Sequence, residues 1–381
     1  MRIVVVGAGL GGVAAAVGLH RAGHEVTLYE RGAELREAGT AIVVMPNGVR
    51  ALEKLGLRDG LPAPLPPGDA GLRDWRGRPL LVTEVARAQR DVGATISVGR
   101  VELHRALRAP LPAELVRTAA PVQRLDPDPD GVTVISDDGA ATRADAVIVA
   151  DGIGSTLRGQ LFPDHPGVRR AGRLDLRGML PRPDDLDVRD LLAGILIDRR
   201  SGSMFGLFPV GERDLYWFTD SALHGTPPGP DEARQQMRSL MADWHPAVPA
   251  LIGATPAADI HVDPIACLAE PLPSFVTGRI ALLGDAAHAM TPDLGQGASQ
   301  AFEDAVAMTR HLADAEPADA AQRLLRYDAD RRPRANRLLR ASSRQSRLTS
   351  QTGAAAWLRD AALRAVPRRF ATRQLATIWH W

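Results

Sequence analysis

The stretch "RIVVVGAGLGGVAAAVGLHRAGHEVTLYE" (residues 2–30) joins two apolar runs through a glycine-rich turn and a segment of small residues. Arg2 to Val6 lacks polar alternation, as expected of a parallel strand buried on both faces. Leu10 to Ala22 carries small residues at helical spacing, and Glu25 to Tyr29 reads as a second strand. Together they make a strand–helix–strand unit of the length such a crossover needs. The uncharged run from Ile3 to Leu19, following Met-Arg, also resembles a signal-peptide apolar region or a short membrane span. The glycines at 7, 9, 11, 12, 18 and 23, and the strand pattern after them, favour the buried unit and no membrane span.

Within this unit Gly7, Gly9 and Gly12 form G-x-G-x-x-G between strand and helix. Gly7 permits the tight turn, Gly9 lets a pyrophosphate approach the backbone, and Gly12 lets helix and strand pack closely. The helix N-terminus offers free N–H groups and a positive dipole to phosphate. Glu30, at the end of the second strand, can accept hydrogen bonds from ribose hydroxyls. It would also repel a 2′-phosphate, which argues against NADP at this site and leaves FAD and NAD.

The rest of the chain bounds the answer without naming it. Its 381 residues suffice for one large domain or two intimate ones. A net charge of +1 selects neither nucleic acid nor acidic partners. One cysteine, Cys267, excludes an internal disulfide and a zinc-type Cys/His cluster, so no metal is expected and a cytoplasmic location is. "GVTVISDDG" (131–139) reads as a strand leading into a turn, "ADAVIVADG" (144–152) as a strand ending at an Asp-Gly, and residues 279–283 as the last strand of this kind. Between about 165 and 275, short alternating strands such as "MFGLFPVGERDLYWFTD" (204–220) and a helix-like "DEARQQMRSLMADW" (231–244) point to an inserted antiparallel sheet. The tail from Arg331 to Trp381 holds 12 arginines against one acid, Asp360. It reads as helices docking an apolar face while the arginines meet water, with a membrane-surface or partner-binding helix as the rival reading.

Three ordered motifs carry a resemblance over residues 1 to about 310. "GAGLGG" is the first. "DGIGSTLR" (151–158) supplies Asp151, Gly152, Ser155 and Arg158. "GDAAHAMTPDLGQGASQAFEDA" (284–305) supplies Gly284-Asp285 at a strand end, then a Pro- and Gly-rich loop and a helix. With "MPNGVRALEKLGL" (45–57) and "GRVELHRAL" (99–107), these are similar to the group A flavoprotein monooxygenases of the para-hydroxybenzoate hydroxylase type, in the compact branch acting on salicylate or urate. The resemblance implies an α/β fold: a Rossmann-like FAD-binding domain (1–72, 96–165 and 276–330), an inserted antiparallel-sheet substrate domain (73–95 and 166–275), and a C-terminal helical region (331–381).

The motifs and the resemblance together give the expected FAD-lining set: Gly7, Gly9, Leu10, Gly11, Gly12, Glu30, Arg31, Val43, Arg100, Val122, Asp151, Gly284, Asp285, Pro292, Gly295, Gly297 and Ala298. Asp285 would accept ribityl hydrogen bonds. The helix opening near Gly297 would aim its N–H groups at the flavin N1–C2=O edge, where reduced flavin is negative. Ser299 stands where the family often has Asn. His288 has two readings, a base or an orderer of its loop. By period 2, Met204, Phe208, Tyr216 and Phe218 share one face of the inserted sheet, with Pro292 opposite, as the substrate pocket. Met204 stands near where the urate-acting branch carries an arginine, which points to an apolar aromatic or natural-product substrate.

The resemblance implies that NAD(P)H reduces the flavin and leaves, and that O2 then forms a flavin C4a-hydroperoxide that hydroxylates the small-molecule substrate. No catalytic triad is expected, and the protein is expected to work as a monomer or homodimer. Two rivals remain open at this point: a flavin-dependent reductase or dehydrogenase without oxygen insertion, and a flavoprotein that only holds a ligand.

Overall fold

The computed structural model describes residues 1–35, 39–65 and 69–381. A six-stranded sheet has the order Val276–Thr277, Ile280–Leu282, Ala146–Val149, Arg2–Val6, Glu25–Tyr29, Val116–Arg117. Four of its five pairings are parallel, and only Val276–Thr277 runs antiparallel to its neighbour. The two central strands are the apolar runs Ile3–Val6 and Ala146–Val149, buried throughout, as a sheet covered on both faces requires. The helices Leu10–Arg21 and Gly297–Leu312 lie against each other beside this sheet. Their close approach depends on glycine: a Cβ at Gly11 would fall 2.9 Å from Ala301 Cβ, and one at Gly18 2.2 Å from Thr309 Oγ1.

A three-stranded antiparallel meander, Val122–Asp128, Gly131–Ser136 and Ala141–Ala144, flanks this core. The second large sheet has seven strands in the order His261–Leu268, Val168–Pro181, Asp214–Ala222, Met204–Val210, Gly194–Ile197, Asp69–Asp74, Pro79–Glu84. Asp69–Asp74 belongs whole to this sheet, so a boundary at 72/73 falls inside a strand. One face of the sheet carries Phe205, Leu207, Leu215 and Trp217 into a core with the helices Pro230–Leu240 and Ala247–Ala254. The first of these helices ends at Leu240, short of the Trp244 limit suggested by sequence. The chain turns at 241–244 ahead of Pro246, and Trp244 reaches the same core from that turn.

The tail is helical: Ala320–Thr349, Gly353–Ala365 and Arg368–Trp379. Leu338 and Leu339 are buried, but Trp357, Leu358 and Phe370 are exposed, and Arg331 and Arg359 are buried. The expected division of apolar residues inward and arginines outward is therefore corrected at these positions. In both buried arginines each guanidinium nitrogen donates to at least one acceptor. Arg359 donates to Asp360 and to the carbonyls of Leu348 and Thr349, joining two of the tail helices.

Candidate active site

The glycine turn is shaped as the motif demands. Gly7 has φ +102°, and a Cβ there would lie 2.4 Å from Ala150 O. A Cβ on Gly12 would lie 1.9 Å from Gly7 O, so only glycine lets strand and helix meet. Gly9 differs, because a Cβ there would meet nothing within 4 Å. It is also the N-cap of Leu10–Arg21, with no side-chain cap and no acid in the first turn. The N–H groups of that turn face an open cradle, which suits an anion. Glu30 braces the turn: its two carboxylate oxygens accept from Ala8 N and Gly32 N, each at 2.9 Å.

Asp151 follows Ala150, which Gly7 touches. Burial pushes its carboxyl above the ordinary range, partly offset by Ser155 and by the charges of Arg158 and Arg31. Its Oδ1 is buried without a hydrogen-bond partner among the described residues. Arg158 is structural: it donates to Ile153 O at 2.7 Å and Ala286 O at 3.2 Å, while Ser155 Oγ caps its own N–H. Arg31 is exposed, and Val122 opens the meander against the main core. Arg100 begins the helix Arg100–Arg108, and its stem lies over Gly39, where a Cβ would fall 2.8 Å from Arg100 Cδ.

The strand end at Leu282 runs into Gly284, whose φ of +63° turns the chain. Asp285 is exposed and makes no hydrogen bond among the described residues, so its carboxylate is free to accept. The loop continues through Pro292 to Gly295, in the left-handed conformation with φ +60°. Gly297, which opens the helix Gly297–Leu312, has no positive φ, and a Cβ there would meet nothing within 4 Å. The special backbone angle thus belongs to Gly295 and the open space to Gly297, with Ala298 half-buried beside it.

Beneath this loop lies a polar network that sequence reasoning missed. Asp304 Oδ2 accepts from Gly284 N at 2.9 Å and lies 2.6 Å from His288 Nε2, and its Oδ1 accepts from Arg331 Nε at 2.7 Å. Arg331 also donates to Glu303 at 2.6 Å and Gln300 Oε1 at 2.8 Å. Glu303 in turn accepts from Asn47, Gln300 and Arg334, and Asn47 donates to Gln296 at 2.9 Å. His288, Glu303, Asp304 and Arg331 are 0% exposed. His288 is therefore an orderer of its loop, not a base facing substrate. Ser299, also buried, accepts from Met45 N at 3.3 Å. The available signal was "FED" inside an apolar helix: two adjacent acids on a face that packs on both the first helix and the tail.

On the seven-stranded sheet, pairing fixes which side chains share the face turned away from the second core. Phe208 lies opposite Tyr216, and Met204 opposite Asp220, so both hairpin strands keep phase through the turn at Gly211. Phe208 and Phe218 stack at 6.3 Å between centroids, with Tyr216 tilted at 6.2 Å from Phe218. A Cβ at Gly206 would fall 2.2 Å from the Phe218 ring, so glycine there seats the aromatic row. Phe208 and Tyr216 pack with Val43 and Ala41 of the other half of the molecule. Met204 packs with Leu363 of the tail. Pro292 is exposed, and its neighbour Asp293 raises the Asp220 carboxyl electrostatically, which places the loop near the same face.

The residues present fit FAD: an open cradle at Gly9, a free carboxylate at Asp285, an unpartnered buried oxygen at Asp151 and open space before Gly297. Comparisons with known proteins agree. Residues 1–342 match the family described as FAD binding domain. The chain is 35% identical over 356 residues to 6-hydroxynicotinate 3-monooxygenase of Bordetella bronchiseptica, with 90% of each chain covered. It is 33% identical over 378 residues to aurachin C monooxygenase/isomerase of Stigmatella aurantiaca, covering 96% of this chain and 94% of that one. Klebsiella pneumoniae HpxO, solved in complex with FAD and uric acid, matches with TM-score 0.90 at 30% identity, covering 100% of this chain and 96% of that one. No described helix is long and apolar enough to cross a membrane. The chain belongs to the FAD-binding domain family and, within it, to the FAD-dependent monooxygenases that use NAD(P)H as co-substrate.

Proposed function

We propose that this protein places one oxygen atom from O2 on a small, electron-rich aromatic or natural-product molecule held against the Met204–Phe208–Tyr216–Phe218 face. The observation that carries this reading is the stacked aromatic row, which packs with Val43, while Asp293 of the Pro292–Gly297 loop is close enough to Asp220 on the same face to act on its charge. FAD, when bound, supplies hydride acceptance from NAD(P)H and activation of O2. The protein's residues supply binding, orientation and exclusion of water. The first-turn N–H groups after Gly9 hold the pyrophosphate, and Glu30 offers its remaining lone pairs to the ribose. Asp285 accepts from ribityl hydroxyls. The helix N-terminus at Gly297 stabilises negative charge on the reduced ring. The apolar sheet face and Leu363 keep the reacting centre dry. The reading includes a cytoplasmic monomer or homodimer.

The test is NAD(P)H oxidation, O2 uptake, hydroxylated product and hydrogen peroxide measured together on the FAD-loaded protein with a panel of aromatic compounds. We expect slow oxidation alone and fast oxidation with a fitting ring. Accumulation of a two-electron-reduced organic product without O2 uptake would instead establish a reductase. Stable FAD with no ring stimulating oxidation would establish a protein that only holds its ligand.

A further inference from the structure

The pocket face of the sheet is not uniformly apolar. Asp175 lies opposite Asp220, which lies opposite Met204. Two residues along, Arg177 lies opposite Phe218. Residues directly paired across strands share a face, as do residues i and i+2. Asp175 and Arg177 therefore stand on the side that carries the aromatic row, at its end.

Their contact is incomplete. Arg177 Nε lies 3.1 Å from Asp175 Oδ2, yet that Nε is buried without a hydrogen-bonded acceptor. Asp175 accepts no hydrogen bond among the described residues, although its side chain is only 15% exposed. Arg177 spends its outer nitrogen on Asp263 of the neighbouring strand. A shielded carboxylate beside a misaligned donor is costly unless a further group completes it. Tyr216, beside Phe218, is close enough to Asp175, Arg177 and Arg100 to feel their charges.

We infer that Asp175, positioned by Arg177, accepts a hydrogen bond from an O–H or N–H on the substrate ring, so that the site selects a neutral hydroxylated or N–H-bearing aromatic over its O- or N-alkylated analogue. This rests on the proposed aromatic pocket and adds its polar edge. The charged surroundings agree with a neutral donor. Burial pushes the Asp175 carboxyl up to about 7; Arg177 opposes the shift, and Asp220 and Asp263 on the two flanking strands add to it. Asp220 is itself raised to about 6 by burial, against the pull of Arg173. With Arg173 bound to Asp220 and Arg177 to Asp263, these two guanidinium groups are already matched, so an anionic ring would meet the Asp175 carboxylate uncompensated by them.

The probes are 4-methylphenol and 4-methylanisole, matched rings that differ in one hydrogen-bond donor and stay uncharged over about pH 5 to 9. Binding to the FAD-loaded protein is read from the flavin difference spectrum. At about pH 8 the wild type should prefer the phenol by about 10- to 100-fold, the range for a hydrogen bond to a charged acceptor. Asp175→Asn should reduce that preference to within about threefold while FAD stays bound. The wild type supplies a second readout. Its preference should fall as pH drops through about 7, because the protonated carboxyl loses its charge-assisted acceptance. Equal affinities in the wild type, an unchanged preference in Asp175→Asn with FAD retained, or no binding of either ring would each overturn the inference. Loss of FAD from the wild type would instead count against the flavoprotein reading itself.

Discussion

Replacing Arg331 with methionine removes one side chain but disturbs two buried carboxylates. Arg331 is 0% exposed and donates to Asp304, Glu303 and Gln300 at 2.6–2.8 Å. Glu303 keeps Arg334 and Asn47, and Asp304 keeps His288 and the Gly284 N–H. Breaking a buried pair from one side costs about 3–5 kcal/mol, because the charge left behind is uncompensated. With ~2.1 cal/mol/K of unfolding entropy per residue over 381 residues, the melting midpoint should fall by ~4–6 °C. The lesion should also reach the cofactor, because Asp304 fixes the Gly284 N–H that turns the chain into Asp285. FAD affinity should weaken by about tenfold, equivalent to roughly one charge-assisted hydrogen bond. A combined Arg331→Met, Glu303→Gln, Asp304→Asn variant should recover part of the midpoint, since it leaves fewer uncompensated charges. The pH dependence has a definite sign. Burial alone would raise the Asp304 carboxyl, but His288 and Arg331 outweigh it and hold the group at about 2. A carboxyl depressed in the folded state stabilises above its unfolded value and loses that stabilisation as pH falls through the folded one. Arg331→Met raises the folded value, so the loss of stability between about pH 5 and pH 2 should become shallower. Thermal melts across that range and FAD titration check these effects. A midpoint and an FAD affinity that both match the wild type would refute the argument that this network supports the flavin loop.

Asp285→Ala should weaken FAD binding by about 10- to 100-fold with an unchanged melt of the FAD-free protein, measured by flavin titration and calorimetry. Gly12→Ala and Gly9→Ala should separate fold from ligand. The first puts a Cβ 1.9 Å from Gly7 O and should destabilise the FAD-free protein, whereas the second meets no protein atom within 4 Å and should cost only FAD affinity, as melts with and without FAD would show. Gly297→Val should leave the FAD-free melt nearly unchanged, because nothing lies within 4 Å of the new Cβ, yet lower hydroxylated product more than NAD(P)H consumption, the difference emerging as hydrogen peroxide.

What the sequence revealed and what it hid divide on a physical line. The strands Arg2–Val6 and Glu25–Tyr29 and the turn between them are legible because their reasons are local. A strand buried on both faces needs an unbroken apolar run, and a turn that must reach +102° at Gly7 needs glycine. The aromatic row is legible for a similar reason, since period 2 holds within each hairpin strand and the register across Gly211 keeps Phe208 opposite Tyr216. Arg331 is not legible. Its partners lie 27 and 28 residues earlier in the chain, and nothing local distinguishes it from the tail arginines that do face water. Asp175 and Arg177 fail differently. In "LDLRG" the alternation is plain, and a charged side of an alternating strand reads as the solvated one. That inference assumes water on the far side of the sheet. Here part of that side is covered by another protein layer, the strand Ala41–Val44 against Phe208 and Tyr216, and Asp175 and Arg177 stand half-buried at the end of the covered row beside Phe218. Periodicity can therefore sort side chains into faces, but only the identity of the covering layer decides whether a charged face is solvent-facing surface or a recognition edge.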